Sequence, residues 1–287
     1  MNLCDEQTIR AVLARHGFRF SKGLGQNFLR DASVPEAIAE GAGIEGDTCV
    51  LEVGPGLGCL TRELCARAKK VVAVELDERL PAVLRDTLHD MDNFTLVQGD
   101  ILKVDLPALA REQFGASPAV ACANLPYYIT TPAITALMES GCFSAITVMV
   151  QREVADRICA SPGTRDYGAF TVYVNYHAQA RKLLDVPRDC FIPAPNVDSA
   201  VVRFDLRAVP PPEVKDKQMF FRVVKAAFAQ RRKTLRNCMN AAFSDRLPKE
   251  EIENCIICAE IDPGARGETL SLSQFARLAE LLSVQLA

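Results

Sequence analysis

Along the first 180 residues, short unbroken apolar runs alternate with longer stretches of helical spacing. Strands are expected over 48–53, 70–75, 94–98, 119–123 and 145–150, and helices over 59–68, 78–89, 132–140 and 152–159. The strands are apolar at consecutive rather than alternate positions, which suits burial on both faces. Strands that alternate with helices argue for a parallel sheet covered on both sides. Beyond residue 181 the rhythm changes. Two further strands are expected, over 182–186 and 199–206, separated by the proline-rich Phe191-Ile192-Pro193-Ala194-Pro195. Val209-Pro210-Pro211-Pro212-Glu213 then reads as a stiff linker. After it only helical patterns follow, over 219–230, 234–243, 249–258 and 272–286, and no internal repeat is evident. The expected fold class is α/β, a Rossmann-like domain with a mostly parallel sheet over 1–208, joined to a small all-α domain over 209–287.

A chain of 287 residues with 49% hydrophobic and 24% charged residues has the composition of an ordinary soluble globular protein, long enough for one large domain and a small one. No apolar run reaches the ~18 residues that a membrane span needs. The first ten residues carry Asp5 and Glu6 and no apolar core, unlike a secretory or transit signal, so a cytoplasmic protein is expected. Eleven cysteines, most of them in apolar segments (Cys49, Cys65, Cys122, Cys142, Cys159), suggest buried thiols in a reducing compartment rather than a disulfide framework. Cys255 and Cys258 form an isolated pair, and His16, His89 and His177 lie far apart, so no metal site is expected. The net charge of −3 does not mark a nucleic-acid binder, but its distribution is uneven. Lys217, Arg222, Lys225, Arg231, Arg232, Lys233 and Arg236 occur within 217–244 with no acid among them. Such a patch suits phosphate, although some of these cations belong to a solvated helix face. Arg15, Arg19 and Lys22 read either as an extension of that track or as a solvated arm.

Candidate chemistry gathers at the ends of the expected strands, where open α/β sheets bind ligands. Leu51-Glu52-Val53-Gly54-Pro55-Gly56-Leu57-Gly58 closes the first strand with glycines spaced G-x-G-x-G, which lets backbone approach a ligand closely. On its own this is compatible with a plain tight turn. Glu75 ends the second strand, 21 residues after Gly54, where a carboxylate accepts from ribose hydroxyls. Asp100, after the third strand, adds an acceptor for an adenine amino group. Asn124-Leu125-Pro126-Tyr127 follows the fourth strand. There the Asn124 side-chain oxygen and a backbone carbonyl can both accept from one exocyclic amine, leaving its lone pair free to meet a methyl group. Pro126 stiffens the turn, and Tyr127 offers a face for an unstacked base. A sulfonium methyl donor needs no strong general base, so catalysis of this kind rests on positioning and electrostatics.

These motifs resemble the ribosomal small-subunit adenine dimethyltransferases, the kasugamycin-sensitivity family, which is related to the erythromycin-resistance methyltransferases. The resemblance runs over about residues 22–281. It is carried by Gly25-Gln26-Asn27-Phe28-Leu29, Glu52-Val53-Gly54-Pro55-Gly56, Asn124-Leu125-Pro126-Tyr127, Gln151-Arg152-Glu153-Val154-Ala155-Asp156-Arg157 and Pro193-Ala194-Pro195-Asn196-Val197-Asp198-Ser199. It implies S-adenosyl-L-methionine as cofactor, held by Asn27, Leu29, Gly54, Gly56, Glu75, Leu76, Asp100, Ile101 and Asn124, with 26–29 folded over it. It implies Asn124, Leu125, Pro126, Tyr127 and Phe191 as the catalytic set, Phe191 sandwiching the target base against Tyr127. Tyr128 departs from the Asn frequent in bacterial members. The run Ala227-Phe228-Ala229-Gln230-Arg231-Arg232-Lys233-Thr234-Leu235-Arg236-Asn237 matches the small-subunit branch, making Arg231, Arg232, Lys233 and Arg236 candidates for RNA binding.

The function implied is dimethylation of N6 on two adjacent adenosines in the 3′-terminal hairpin of small-subunit (16S) ribosomal RNA, during biogenesis of that subunit. The expected partners are this RNA and the immature small subunit, with the enzyme a monomer. Alternatives are the same chemistry on large-subunit RNA, conferring macrolide resistance, and a mainly non-catalytic assembly factor. The first reading is favoured by an Arg-rich helix and Gly267-Glu268-Thr269-Leu270-Ser271, and the intact Asn124–Tyr127 turn opposes a purely structural role. A DNA adenine methyltransferase would share the active-site logic but normally carries a larger recognition region.

Overall fold

The computed structural model describes residues 1–18 and 26–286. Arg19, Lys22 and Gly25 therefore lie outside the described residues. The elements in chain order are α1 (Glu6–Arg15), β1 (Phe28–Leu29), α2 (Ser33–Gly41), β2 (Cys49–Val53), α3 (Cys59–Cys65), β3 (Lys70–Glu75), α4 (Leu80–Thr87), β4 (Phe94–Gln98), α5 (Leu106–Phe114), β5 (Ala119–Asn124), α6 (Thr130–Glu139), β6 (Ala145–Gln151), α7 (Arg152–Ile158), α8 (Ala169–His177), β7 (Ala178–Val186), β8 (Phe191–Ile192), β9 (Ser199–Leu206), α9 (Lys217–Phe228), α10 (Leu235–Phe243), α11 (Lys249–Cys258) and α12 (Leu272–Leu286).

The seven-stranded sheet has the order β4-β3-β2-β5-β6-β9-β7. Strands β4 through β6 pair in parallel, and β9 runs antiparallel to β6. The chain winds outward from β2 to β4 and then returns to β5 on the other side of β2. The carboxyl ends of β2 and β5 thus flank the switch point at which doubly wound sheets form their ligand crevice. Every residue of β2 is buried, as its near-continuous apolar sequence implies. One sheet face buries Val50, Val71, Val120 and Cys122 under Ile38 of α2 and Leu60 and Leu64 of α3. A separate cluster packs Ile9, Val12 and Leu13 of α1 on Leu80, Val83 and Leu84 of α4.

The chain divides into two compact units, 1–155 with 181–206, and 156–180 with 207–287. This corrects the expected single cut at 208/209, because 156–180 packs with the helical unit. Its Tyr167 and Tyr176 share a core with Phe220 and Val223 of α9, and the Tyr167 hydroxyl donates to the Leu270 carbonyl at 3.0 Å. Helices α1, α2, α5 and α8 are additions to the elements expected from spacing. Helix α5 carries a start signal that is present in the sequence: Asp105 caps it by accepting from Ala108 N–H at 2.9 Å, with Pro107 in its first turn. Helix α8, rich in aromatic and β-branched residues, has the local composition of a strand, and tertiary burial overrides it. No described helix is long and apolar enough to cross a membrane.

Candidate active site

Four successive strand ends build the site. After β2 the chain turns through Gly54 (φ 68°), Gly56 (φ 59°) and Gly58 (φ 93°), a region that only glycine enters without strain. A side chain on Gly54 would project into open space, whereas one on Gly56 would stand 3.3 Å from the Phe28 ring. Glu75 ends β3, registered opposite Gln98 of β4, and its carbonyl accepts from Gly99 N–H and Gln98 Nε2, each at 2.8 Å. The Glu75 carboxylate is buried, and its Oε1 accepts from the Asp77 N–H at 2.7 Å. Burial raises its pKa, with part of the effect offset by that backbone donor. Asp100 follows β4, accepts from Leu102 N–H at 3.0 Å and has Lys103 Nζ 3.6 Å away.

Asn124 ends β5. The next residue is anchored by Leu125 N–H donating to the Met149 carbonyl at 3.2 Å, and Leu125 itself is buried. The turn then closes with Ile129 N–H on the Pro126 carbonyl at 3.1 Å. No described residue hydrogen-bonds the Asn124 side-chain amide, so its acceptor is available. The Tyr127 hydroxyl meets Ser199 Oγ at 2.8 Å, and burial raises the phenol's pKa.

Gly54, Gly56, Glu75, Asp100, Asn124 and Tyr127 line one cavity of about 280 Å³. It takes in every expected cofactor and catalytic residue: Asn27, Leu29, Gly54, Gly56, Glu75, Leu76, Asp100, Ile101, Asn124, Leu125, Pro126, Tyr127 and Phe191. Tyr128, the departure noted above, also lines it and is 55% exposed. Phe191 is only 3% exposed, pairs with Leu29 across the β1–β8 ribbon and packs in the core beneath it. Its ring is therefore largely covered rather than a free face like that expected for sandwiching a base.

Sequence reasoning assigned no role to Glu52, which also lines the cavity. It is 1% exposed, and its Oε2 has no hydrogen-bond partner among the described residues. Burial, reinforced by the charge of Glu75, pushes its pKa up to about 8. The signal was legible as a single carboxylate inside an otherwise wholly apolar strand. Among the described residues the lining includes Glu52, Glu75 and Asp100 but no Lys, Arg or His. Such a wall is rich in acceptors and suits a ligand bearing hydroxyls, amines and a positive charge.

The candidate RNA-binding residues lie in the helical unit, all four exposed. Arg231, Arg232 and Lys233 occupy the turn between α9 and α10, in the gap between the helices expected over 219–230 and 234–243. Thr234 starts a new helix there, its hydroxyl accepting from Asn237 N–H at 3.4 Å. The patch is also less bare of acids than its sequence neighbourhood. Arg231 contacts Glu268 at 3.1 Å and the Arg165 carbonyl, and Arg236 contacts Glu253 at 3.0 Å. Arg15, in the other unit, pairs with Asp86 at 2.7 Å.

Residues 17–283 match the family model described as ribosomal RNA adenine dimethylase. A "Ribosomal RNA small subunit methyltransferase A" of Geobacillus thermodenitrificans is 49% identical over 95% of this chain and 94% of its own length. The protein of that name from Streptococcus gordonii is 46% identical over 98% of both chains. Among solved structures, the 23S rRNA methyltransferase ErmE superposes with a TM-score of 0.69 at 30% identity, covering 89% of this chain and 99% of its own. A dimethyladenosine transferase from Plasmodium falciparum shares the fold, with a TM-score of 0.73 at 24% identity over 90% of this chain and 98% of its own. The chain therefore belongs to the ribosomal RNA adenine dimethylase family.

Proposed function

We propose that this protein dimethylates N6 of two adjacent adenosines in the 3′-terminal hairpin of small-subunit ribosomal RNA, using S-adenosyl-L-methionine. It acts as a cytoplasmic monomer during assembly of that subunit. The observation that carries the reading is the row of acceptors Glu75, Asp100 and Asn124 at consecutive strand ends, in one cavity with Tyr127. The family match supports the chemistry. The near-full-length likeness at 46–49% identity to proteins named for the small subunit, against 30% for one named for 23S RNA, supports the target.

The residues fit the cofactor. Open space beside Gly54 leaves room for a ligand against the backbone. Glu75 suits ribose hydroxyls, and Asp100 with Ile101 suits an adenine ring. Bound here, S-adenosylmethionine supplies an electrophilic methyl group on a sulfonium. Asn124 accepts one N6–H of the target adenine while a carbonyl of the same turn accepts the other, which favours a pyramidal nitrogen. Tyr127 supports the extruded base on its ring. Among the described residues the cavity wall carries no Lys or His, consistent with catalysis by orientation. In the helical unit, Arg232 and Lys233 are the first candidates for phosphate contacts, since Arg231 and Arg236 already face carboxylates.

Incubation with radiolabelled cofactor and unmethylated small or large ribosomal subunits, followed by nucleoside analysis, tests this reading. N6,N6-dimethyladenosine confined to small-subunit RNA is the expected product. Labelling confined to the large subunit, or none, overturns it.

A further inference from the structure

Asp77 does not line the cavity, yet it is 6% exposed and unusually well connected. It lies between β3 and α4. Its Oδ2 accepts from Gln26 Nε2 at 2.7 Å and from Arg79 Nη2 at 2.6 Å. Its Oδ1 accepts from Arg79 Nε at 2.8 Å and from the Arg79 N–H at 3.0 Å. Its own N–H donates to Glu75 Oε1 at 2.7 Å. The Arg79 guanidinium sits 4.5 Å from the centre of the Phe18 ring, which meets the Phe28 ring at 6.2 Å.

A residue that merely turns the chain into α4 needs only the local bonds to Arg79. The bond from Gln26, 51 positions earlier in sequence, serves no such purpose. Gln26 opens the segment Gln26, Asn27, Phe28 and Leu29, all four of which line the cavity. The far end of that segment is fixed by β1 pairing with β8. Asp77 supplies the near end. One buried carboxylate therefore holds the lip through its side chain and the Glu75 carboxylate through its backbone. A well-buried, fully bonded carboxylate is rigid, and losing one partner exposes the others to strain and water.

We propose that Asp77 is a positioning residue for cofactor binding, latching Gln26 and with it the 26–29 lip over the cavity while orienting Glu75. The inference rests on the reading that this cavity holds S-adenosylmethionine. A ligand under a latched lip leaves more slowly than it enters, so loosening the latch acts chiefly on dissociation.

Dissociation of radiolabelled S-adenosylmethionine from the full chain tests this, comparing wild type with Gln26→Ala, Asp77→Asn and the double variant. Each single variant should dissociate about tenfold faster, the size expected for one charge-assisted hydrogen bond. The double variant should dissociate no faster than the faster single variant, since Gln26→Ala removes the hydrogen bond that Asp77→Asn weakens by taking away its charge. The effect should fall on KM for the cofactor rather than on kcat. Gln26→Ala dissociating at the wild-type rate, or a double variant whose effect is the product of the singles, overturns the latch. Should Asp77→Asn not fold, Gln26→Ala alone decides by its rate. Wild-type protein that binds no S-adenosylmethionine instead overturns the cofactor reading, and the latch with it.

Discussion

The phenolic oxygen of Tyr127 lies 2.8 Å from Oγ of Ser199, a residue wholly buried at the start of β9. The antiparallel strand beside β6 therefore holds the ring that the turn after β5 presents to the cavity. The hydrogen bond fixes the plane of a side chain whose proposed work is to carry a base. Ser199→Ala and Tyr127→Phe should each lower single-turnover methylation of small subunits about fivefold, from a net bond of ~1 kcal/mol. Tyr127→Ala, which removes the ring, should lose far more. Equal losses in all three would show that the ring contributes nothing beyond its hydroxyl.

Asn124→Ala should abolish formation of N6,N6-dimethyladenosine while leaving subunit affinity largely intact. The missing acceptor matters most as the amine becomes pyramidal, so the deficit belongs in turnover. Some cofactor affinity should be lost as well. Nucleoside analysis at saturating cofactor checks this, and full dimethylation by the variant contradicts the mechanism.

Glu75→Ala should weaken cofactor binding by ~1.5–3 kcal/mol, the worth of hydrogen bonds to a charged group, without unfolding the chain. Burial raises the pKa of Glu75, so the ionised acceptor is lost at a higher pH than for an exposed carboxylate. Cofactor affinity should fall as pH drops through that raised pKa, and Glu75→Gln should flatten the dependence. Calorimetry over a pH series measures both.

Glu52 should make the fold less stable as pH rises. Its pKa is raised from 4.5 to about 8 in the folded chain, so the folded state holds a proton that the unfolded state releases. Stability from this group is full below 4.5, declines as pH rises and is spent above about 8. Glu52→Gln should therefore melt higher than wild type at about pH 9 and show little difference at about pH 4. The reverse order in thermal melts of the cofactor-free protein would contradict the assignment.

Replacing Arg232 and Lys233 together should weaken binding to small subunits. The slope of log affinity against log salt should shrink by about one unit for each phosphate no longer neutralised. Replacing Arg231 and Arg236 should cost less, because Glu268 and Glu253 already share their charge. Cofactor affinity should not change in either case. A salt slope that survives all four substitutions would place RNA on another surface.

The alternation of apolar runs and helical stretches was enough to specify a parallel sheet, because strands buried on both faces leave a nearly continuous apolar signature. The same local logic located Gly54, Glu75, Asp100 and Asn124, since strand ends are readable and ligands in such sheets gather there. Other features were beyond local reading. Helix α8 looks like a strand in composition and is helical only because its buried face meets α9 in a shared core. That long-range packing also assigns 156–180 to the helical unit, against a boundary drawn at the proline-rich linker. The acid-free stretch around Arg231 acquires Glu268 and Glu253 from distant positions, so its charge could not be judged from sequence neighbours. Asp77 and Ser199 are ordinary residues in sequence, and Glu52 stands out only as a carboxylate in an otherwise apolar strand. Glu52 owes its raised pKa to burial beside Glu75, Asp77 its connections to a partner 51 positions away, and Ser199 its hydrogen bond to a partner 72 positions away. Hydrogen bonds and desolvation act through space, and only the folded chain determines which groups they join.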